Sequence, residues 1–345
     1  MFFASDNSGP AHPAVMQALA DVNTGFAMPY GADDPMAAVT AELRRLFEAP
    51  EAAVYLVATG TAANSLSLAT LTQPFETVFC SPVAHIHEDE CNAPEFFTSG
   101  AKLTLVPGTD KMTPDSLRAT VLKEETRGVH GPQRGAVSIT QVTERGGVYT
   151  LDDLSALTDV AREYGLPVHM DGARFANALV KLNATPADMT WRLGVDILSF
   201  GATKNGCMGV EAVILFDPAK AWEFELRRKR AAHLFSKHRY LSAQMHAYLA
   251  DDLWLTSART ANANAARLAD GLERAGAQFM YPPQANIIFA EFPRATHQRL
   301  HDAGAVYYIW EGTLEGDDPD EMLAARLVCD WSVTHDNIDR FLSHF

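Results

Sequence analysis

The sequence predicts an α/β fold: a mainly parallel sheet with helices on both faces, followed by a smaller α+β unit. Two observations predict it. Seven short apolar runs lie between residues 53 and 216, with helical patterns between most of them. That alternation is the mark of crossover-connected parallel strands. After Asp217 the order changes to a long helical stretch and then strand–helix–strand–strand–helix. A chain of 345 residues has room for a large and a small domain, and a hydrophobic content of 47% supplies their cores. The boundary is expected near residue 235, giving a large domain over 1–235 and a small one over 236–345.

Residues 1–34 are expected to be irregular apart from a short helix near Pro13–Val22. Asp34-Pro35 gives a helix start, an N-cap acid followed by proline at the first helical position. Val39, Leu43, Leu46 and Phe47 follow at helical spacing, to about Glu48. Ala53–Ala58 is an expected strand, Thr61–Leu71 a helix, and Thr77–Ser81 and Leu103–Val106 are further strands. Thr113-Pro114 opens a helix to about Lys123, and Ala136–Thr140 is a strand. Thr150 caps a helix through Tyr164, which Gly165 ends. Pro167–Met170 is a strand with a helix from Ala173, and Asp196–Phe200 and Ala212–Phe216 complete the seven. A basic segment, Leu226–Arg230, leads into one helical periodicity from Tyr240 to Ala275. Strands at Ala285–Phe292, Val306–Trp310 and Arg326–Trp331, with helices near Thr296–Ala303 and from Asp336, form the small unit, and Gly312–Pro319 is an exposed loop.

The net charge of −15 argues against nucleic acid or an anionic membrane surface as the partner. No run approaches the roughly 20 apolar residues of a membrane span. The four cysteines are scattered without C-x-x-C spacing, Cys80 and Cys329 in apolar runs, and the start M-F-F-A-S-D-N-S is too short and polar for a secretion signal. A reduced, cytoplasmic protein is the expectation.

Three stretches carry chemistry. In A-T-G-T-A-A-N, residues 58–64, a strand runs into a helix whose free N–H groups and threonine hydroxyls form an anion cup, or an ordinary strand–helix turn. It lacks the P-loop lysine and is not G-x-G-x-x-G. In H-M-D-G-A-R, residues 169–174, a strand delivers Asp171 at its carboxyl end. That acid could take a metal, a ribose hydroxyl or a protonated ring nitrogen. With only His169 nearby, no metal is expected. Alternation puts His169 and Asp171 on one face and Met170 in the core. In S-F-G-A-T-K-N-G, residues 199–206, Lys204 follows a buried strand, 33 residues after Asp171. A lone lysine is most often a solvated charge. Anion cup, acid and lysine along the carboxyl edge of one sheet are, together, what pyridoxal 5'-phosphate needs: a phosphate site, a pyridinium partner and a Schiff-base amine.

To these are added S-D-N near the start, P-Y-G-A-D-D-P at 29–35, H-I-H-E at 85–88, T-E-R-G-G-V-Y at 143–149 and R-L-V-C-D-W at 326–331. In joint order and spacing the chain resembles, nearly end to end, the threonine aldolase family of fold-type-I pyridoxal-phosphate enzymes, in its low-specificity L-threonine aldolase branch. The resemblance implies that Lys204 holds the cofactor as a Schiff base, that Asp171 pairs with the pyridine nitrogen, and that Gly60 and Thr61 bind the phosphate. It implies that His85 stacks on the ring and serves as base, with His87 a weaker candidate. Arg174 would contact the cofactor or the substrate carboxylate, and Ser5 and Arg326 would hold that carboxylate. Tyr30 and Arg239 would be offered across a dimer interface, Arg239 towards the phosphate. A homodimer, commonly paired into a homotetramer, is implied.

One departure stands out. Where some members carry E-N-T-H-N-G, this chain has Q-V-T-E-R-G, so Glu144 occupies the place of a second histidine. Glu144 is therefore either a catalytic carboxylate or a turn cap, and the base and the threo or erythro preference stay open. The implied reaction is retro-aldol cleavage of L-threonine, L-allo-threonine or a related amino acid such as phenylserine to glycine and an aldehyde. β-Elimination on the same cofactor is the alternative. A non-catalytic ligand-binding protein on this fold is a remote one.

Overall fold

The computed structural model describes all 345 residues. The first two helices are α1 (Pro13–Asp21) and α2 (Asp34–Leu46). The cap of α2 is Asp33, which accepts from the Met36 N–H, and Asp34 is already the first helical residue. The large sheet is built from β1 (Ala53–Val57), β2 (Glu76–Cys80), β3 (Lys102–Leu105), β4 (Gln133–Thr140), β5 (Val168–Gly172), β6 (Ile197–Gly201) and β7 (Glu211–Leu215). Between them lie α3 (Gly60–Leu71), α4 (His85–Glu88), α5 (Ala93–Phe97), α6 (Pro114–Lys123), α7 (Leu151–Glu163) and α8 (Phe175–Leu182).

The strand order is β1-β7-β6-β5-β4-β2-β3. From β6 to β3 the sheet is parallel, while β7 runs antiparallel to both β6 and β1. Helix α3 is buried from Ala62 to Leu71, packed on β6 and β7 and later covered by α9 (Ala221–Arg230). Small and apolar residues on all sides suit that central position, with the Ser67 and Thr70 hydroxyls turned back onto the helix carbonyls. On the opposite face Val39, Leu43, Leu154 and Leu157 pack with an edge-to-face aromatic cluster, Phe47, Phe175, Phe200 and Trp254. Each such side chain contributes about 1.5–3 kcal/mol by leaving water.

The single helical periodicity expected from Tyr240 to Ala275 is two helices, α10 (Arg239–Leu249) and α11 (Leu253–Arg274). The break falls at Asp251 and Asp252, both in left-handed backbone, a conformation short polar side chains tolerate. Leu241, Met245 and Tyr248 of α10 join the large core, and α11 passes from that core at Trp254 and Ala258 into a second one at Leu268 and Leu272. The packing therefore changes hands within α11, beyond the domain boundary expected near residue 235.

The second core lies under an antiparallel sheet of order β10-β11-β9-β8, from β8 (Gln278–Phe279), β9 (Ile287–Pro293), β10 (Tyr308–Glu311) and β11 (Met322–Val328), with α12 (Arg294–Asp302) and α13 (His335–Leu342). Strand β11 begins four residues before the expected start, so Arg326 sits within it, between Phe289 of β9 and Tyr308 of β10. Val306, expected in a strand with Trp310, instead pairs with the N-terminal arm. The Phe3 N–H donates to the Val306 carbonyl at 2.8 Å, and the Val328 N–H to the Phe3 carbonyl at 2.8 Å. With Phe3 buried, the arm is pinned to the small domain and leaves Ser5 and Asp6 at the junction of the two cores.

Candidate active site

Three strand ends set the site. Thr140, Asp171 and Ser199 are register partners across β4, β5 and β6. Chain exits here are tight: a Cβ on Gly201 would lie 2.3 Å from the Ala173 carbonyl oxygen, and one on Gly172 2.7 Å from that of Ser199. Only glycine lets the two exits pass. Beyond β6 the turn carrying Lys204 is clamped on both sides. The Ala202 N–H donates to Glu211 Oε2 at 2.7 Å, and Asn205 Nδ2 donates to Tyr248 Oη at 2.7 Å and the Trp254 carbonyl at 2.8 Å. Lys204 itself makes no ion pair or hydrogen bond.

Lys204 and His85 stand where two cavities meet. One, of about 260 Å³, is lined by Thr59, Gly60, Thr61, Asn64, Asp171 and Thr203. Thr59 caps α3 by accepting from the Ala62 N–H, which leaves the Gly60 and Thr61 N–H groups without protein partners at a helix N-terminus. The space where a Gly60 Cβ would stand is open. Asp171 is buried and fixed, accepting from the Ala173 N–H at 3.0 Å and from Asn64 Nδ2 at 2.8 Å. Beneath it, His169 bridges Ser138 Oγ and Ser199 Oγ, both at 3.0 Å, and burial pushes its imidazole down to about 4, so it stays neutral. Met170 is core, as expected.

The second cavity, of about 340 Å³, brings together Ser5, Glu144, Arg174 and Arg326 beneath Tyr308 and Trp310. Arg174 is held by Asp6 through Nε (2.6 Å) and Nη2 (2.9 Å), leaving Nη1 without a protein partner. Arg326 donates only to the Ala4 carbonyl, at 3.3 Å. Burial and the neighbouring Arg174 charge hold its pKa below the ordinary arginine value. Asp6 is the only carboxylate hydrogen-bonded to either guanidinium, with Glu144 the further carboxylate nearby, so both arginines keep free donors that suit an anionic ligand. Glu144 makes no hydrogen bond. The turn after β4 is held instead by Thr143, whose Oγ accepts from the Gly147 N–H, so nothing supports a capping role for Glu144.

Sequence reasoning missed three participants. Glu90, buried, lies 2.8 Å from His85 Nδ1. Asn64 donates to Glu90 at 2.9 Å as well as to Asp171. Arg145 stacks 4.5 Å from the Trp310 ring centroid and walls the second cavity. His87 is exposed and lines neither cavity. Nor does one chain bring Tyr30 or Arg239 to the site. Tyr30 is exposed under the Lys229 ammonium, and Arg239 donates to the Thr24 and Gly25 carbonyls. No helix is long and apolar enough to cross a membrane.

Unpaired N–H groups at an open helix start, a fixed buried carboxylate and an unpaired lysine amine fit pyridoxal phosphate. Comparison with known proteins agrees. Residues 3–294 match the family model for beta-eliminating lyases. The chain is 40% identical over 331 residues to the low-specificity L-threonine aldolase of Pseudomonas aeruginosa, covering 95% of this chain and 92% of that one. A solved threonine aldolase of Leishmania major superposes with a TM-score of 0.92 at 27% identity, over 99% of this chain and 97% of that one. Serine palmitoyltransferase of S. paucimobilis, solved with bound PLP and myriocin, shares the fold alone, with a TM-score of 0.68 at 16% identity over 100% of this chain and 86% of that one.

Proposed function

The chain belongs to the beta-eliminating lyase family, and on that premise we propose that it is a pyridoxal-phosphate-dependent aldehyde-lyase of the low-specificity L-threonine aldolase type. It cleaves L-β-hydroxy-α-amino acids to glycine and an aldehyde. One observation carries this reading: the unpaired amine of Lys204 stands where an anion cup with a buried acid meets a cavity with free guanidinium donors.

When bound, the cofactor supplies a protonated ring that accepts the electron pair released at the substrate α-carbon. The side chains do the rest. Gly60 and Thr61 would hold its phosphate, Asp171 its pyridine nitrogen and Lys204 its aldehyde carbon, with His85 against the ring. Arg326, Arg174 Nη1 and Ser5 receive the substrate carboxylate. Clamping that group fixes rotation about N–Cα and so selects the Cα bond set to break. His85 takes the β-hydroxyl proton, and Glu144, unpaired in the same cavity, holds the hydroxyl or a water beside it. Glu144 thereby governs the choice between L-threonine and L-allo-threonine.

We place the chain in a cytoplasmic homodimer or homotetramer, with Tyr30 and Arg239 completing the partner's site. The exposed apolar side chains of Phe26, Met28 and Tyr30, close in sequence, support such an interface. By chain order the large domain is taken as 1–235 and the small one as 236–345, with α10 and the start of α11 packed on the large core.

The test is a retro-aldol assay over the stereoisomers of threonine and phenylserine, following glycine and aldehyde. Ammonia with a keto acid would establish β-elimination instead. With added cofactor an absorbance band near about 420 nm is expected, and Lys204→Ala should abolish it.

A further inference from the structure

Glu90 has no part in the scheme above, yet its side chain is 0% exposed beside the site. Its Oε1 lies 2.8 Å from His85 Nδ1 and 2.9 Å from Asn64 Nδ2, and its Oε2 is buried without a partner. Asn64 stands one turn along α3 from Gly60, on the face of the helix that carries the anion cup. Its two amide hydrogens go to two different carboxylates, Glu90 and Asp171. An acid at position 64 would put three carboxylates together, whereas an amide joins two.

We propose that Glu90 is the positioning residue of His85, fixing the imidazole with its Nδ1 proton towards the carboxylate and Nε2 free for substrate, and that Asn64 ties this pair to Asp171. The proposal rests on the reading of His85 as the group that takes the β-hydroxyl proton. When Nε2 accepts that proton, the new imidazolium charge lies 2.8 Å from a carboxylate already in place. The bond becomes charge-assisted without rearrangement. An orienting third group behind a base is a recurring arrangement because a free imidazole samples both tautomers and many ring angles.

The charges around the pair agree. The Glu90 hydrogen bond is the largest influence raising the His85 pKa, and Asp171 and Glu144 add to it. Burial raises the Glu90 carboxyl, and the Asp171 charge adds to that against the pull of His85 and Asn64. Both partners move upwards, so the pair keeps its shared proton to higher pH. Glu88, Asp89, Arg145, Arg174, Arg326 and Lys204 also line the cavities that His85 faces.

The experiment is long-range ¹H–¹⁵N NMR on ¹⁵N-histidine-labelled protein without cofactor, with kinetics on the loaded enzyme beside it. Wild-type His85 should be protonated at Nδ1 when neutral. In Glu90→Gln its titration midpoint should fall by about one pH unit, and the acid limb of kcat should move down with it. The value of kcat should fall about 10–100-fold while KM stays within about twofold. Glu90→Asp, which keeps the charge, should restore the high midpoint, and it carries the test if the glutamine variant does not fold. Asn64→Ala should weaken cofactor retention and shift the His85 titration together. A proton on Nε2 in the neutral wild type, or an unmoved midpoint in Glu90→Gln, overturns the proposal. If only one of the two Asn64→Ala effects appears, the Asn64 tie is overturned. Should the NMR results hold while no substrate yields glycine, the aldolase reading fails and the positioning stands.

Discussion

Replacing Asp6 alone is expected to destabilise the protein more than replacing Asp6 and Arg174 together. The two side chains are 2% and 3% exposed and joined by two hydrogen bonds, with Asn286 donating a third to Asp6 at 3.1 Å. Asp6→Asn leaves a buried guanidinium beside Arg326 without its hydrogen-bonded counter-charge. Breaking such a pair from one side costs about 3–5 kcal/mol. For 345 residues melting as one unit, with an unfolding entropy of about 2.1 cal/mol/K per residue, that is a fall in Tm of about 4–7 °C. Adding Arg174→Met removes the stranded charge along with the pair, and the double variant should recover most of the loss. Denaturant unfolding of the cofactor-free protein near neutral pH measures both. A double variant no more stable than Asp6→Asn would refute the reasoning. The acid arm gives a second check. Burial would raise the Asp6 carboxyl, but the Arg174 and Lys204 charges and the hydrogen bonds from Arg174 and Asn286 outweigh it and hold the pKa below 3.8. A carboxyl depressed in the folded state stabilises above its unfolded pKa, and that stabilisation fades as pH falls through the folded value. The advantage of wild type over Asp6→Asn should therefore persist down to about pH 4 and shrink only below it.

Arg326→Ala should raise KM for the amino-acid substrate about 10–100-fold, the worth of a charge-assisted carboxylate contact, and steady-state kinetics with an unchanged KM would remove Arg326 from the clamp. Gly201→Ala should cost about 1–3 kcal/mol, because its Cβ would meet the Ala173 backbone at 2.3 Å. Thermal melts and cofactor retention should fall together, since the displaced exits carry Asp171 and Lys204. Burial pushes the Glu211 carboxyl up to about 7, although the Ala202 N–H, Thr203 and the Lys204 charge pull it down. An acid raised in the folded state gives stability that is complete below its unfolded pKa and is lost as pH rises through the folded one. Glu211→Gln should therefore gain in Tm over wild type as pH is raised from about 5 to 8, and parallel melting curves would count against it.

Most elements of the large domain were legible because their signals are local, but the short helices α4 and α5 were not. Proline within the first two helical positions marks α1, α2 and α6, and short apolar runs mark the strands. The direction of β7 was not, since nothing in an apolar pentapeptide says which way it runs. Asp171 and Lys204 could be placed because one ends a strand and the other follows one, each at a glycine-bearing exit. Glu90 could not, because within H-E-D-E-C-N it reads as one of several solvated acids, and only the fold buries it against His85. Asn64 lies inside a stretch read as helix, where its reach across to two other segments leaves no periodic trace. Arg326 was placed at the start of a strand because the apolar run seemed to begin there. The strand reaches back to Met322 through Ala324 and Ala325, small residues that say little about where pairing starts.

The pinned N-terminal arm has a consequence for the order in which the protein is made. The cup, Asp171, Lys204 and the Glu211 clamp are all encoded by residue 211, and the second clamp on the Lys204 turn, Tyr248 and Trp254, by residue 254, so the half of the site that fits the cofactor is encoded by roughly the first three-quarters of the chain. The carboxylate clamp is not. Ser5 and Asp6 leave the ribosome first, but the bed of their arm is Val306 and Val328, and the Arg326 bond to Ala4 spans 322 positions. Contacts of such sequence separation form late. The residues proposed to hold the cofactor therefore leave the ribosome well before the contacts that seat the proposed carboxylate clamp. Chains that end before β11 should bind pyridoxal phosphate and turn nothing over.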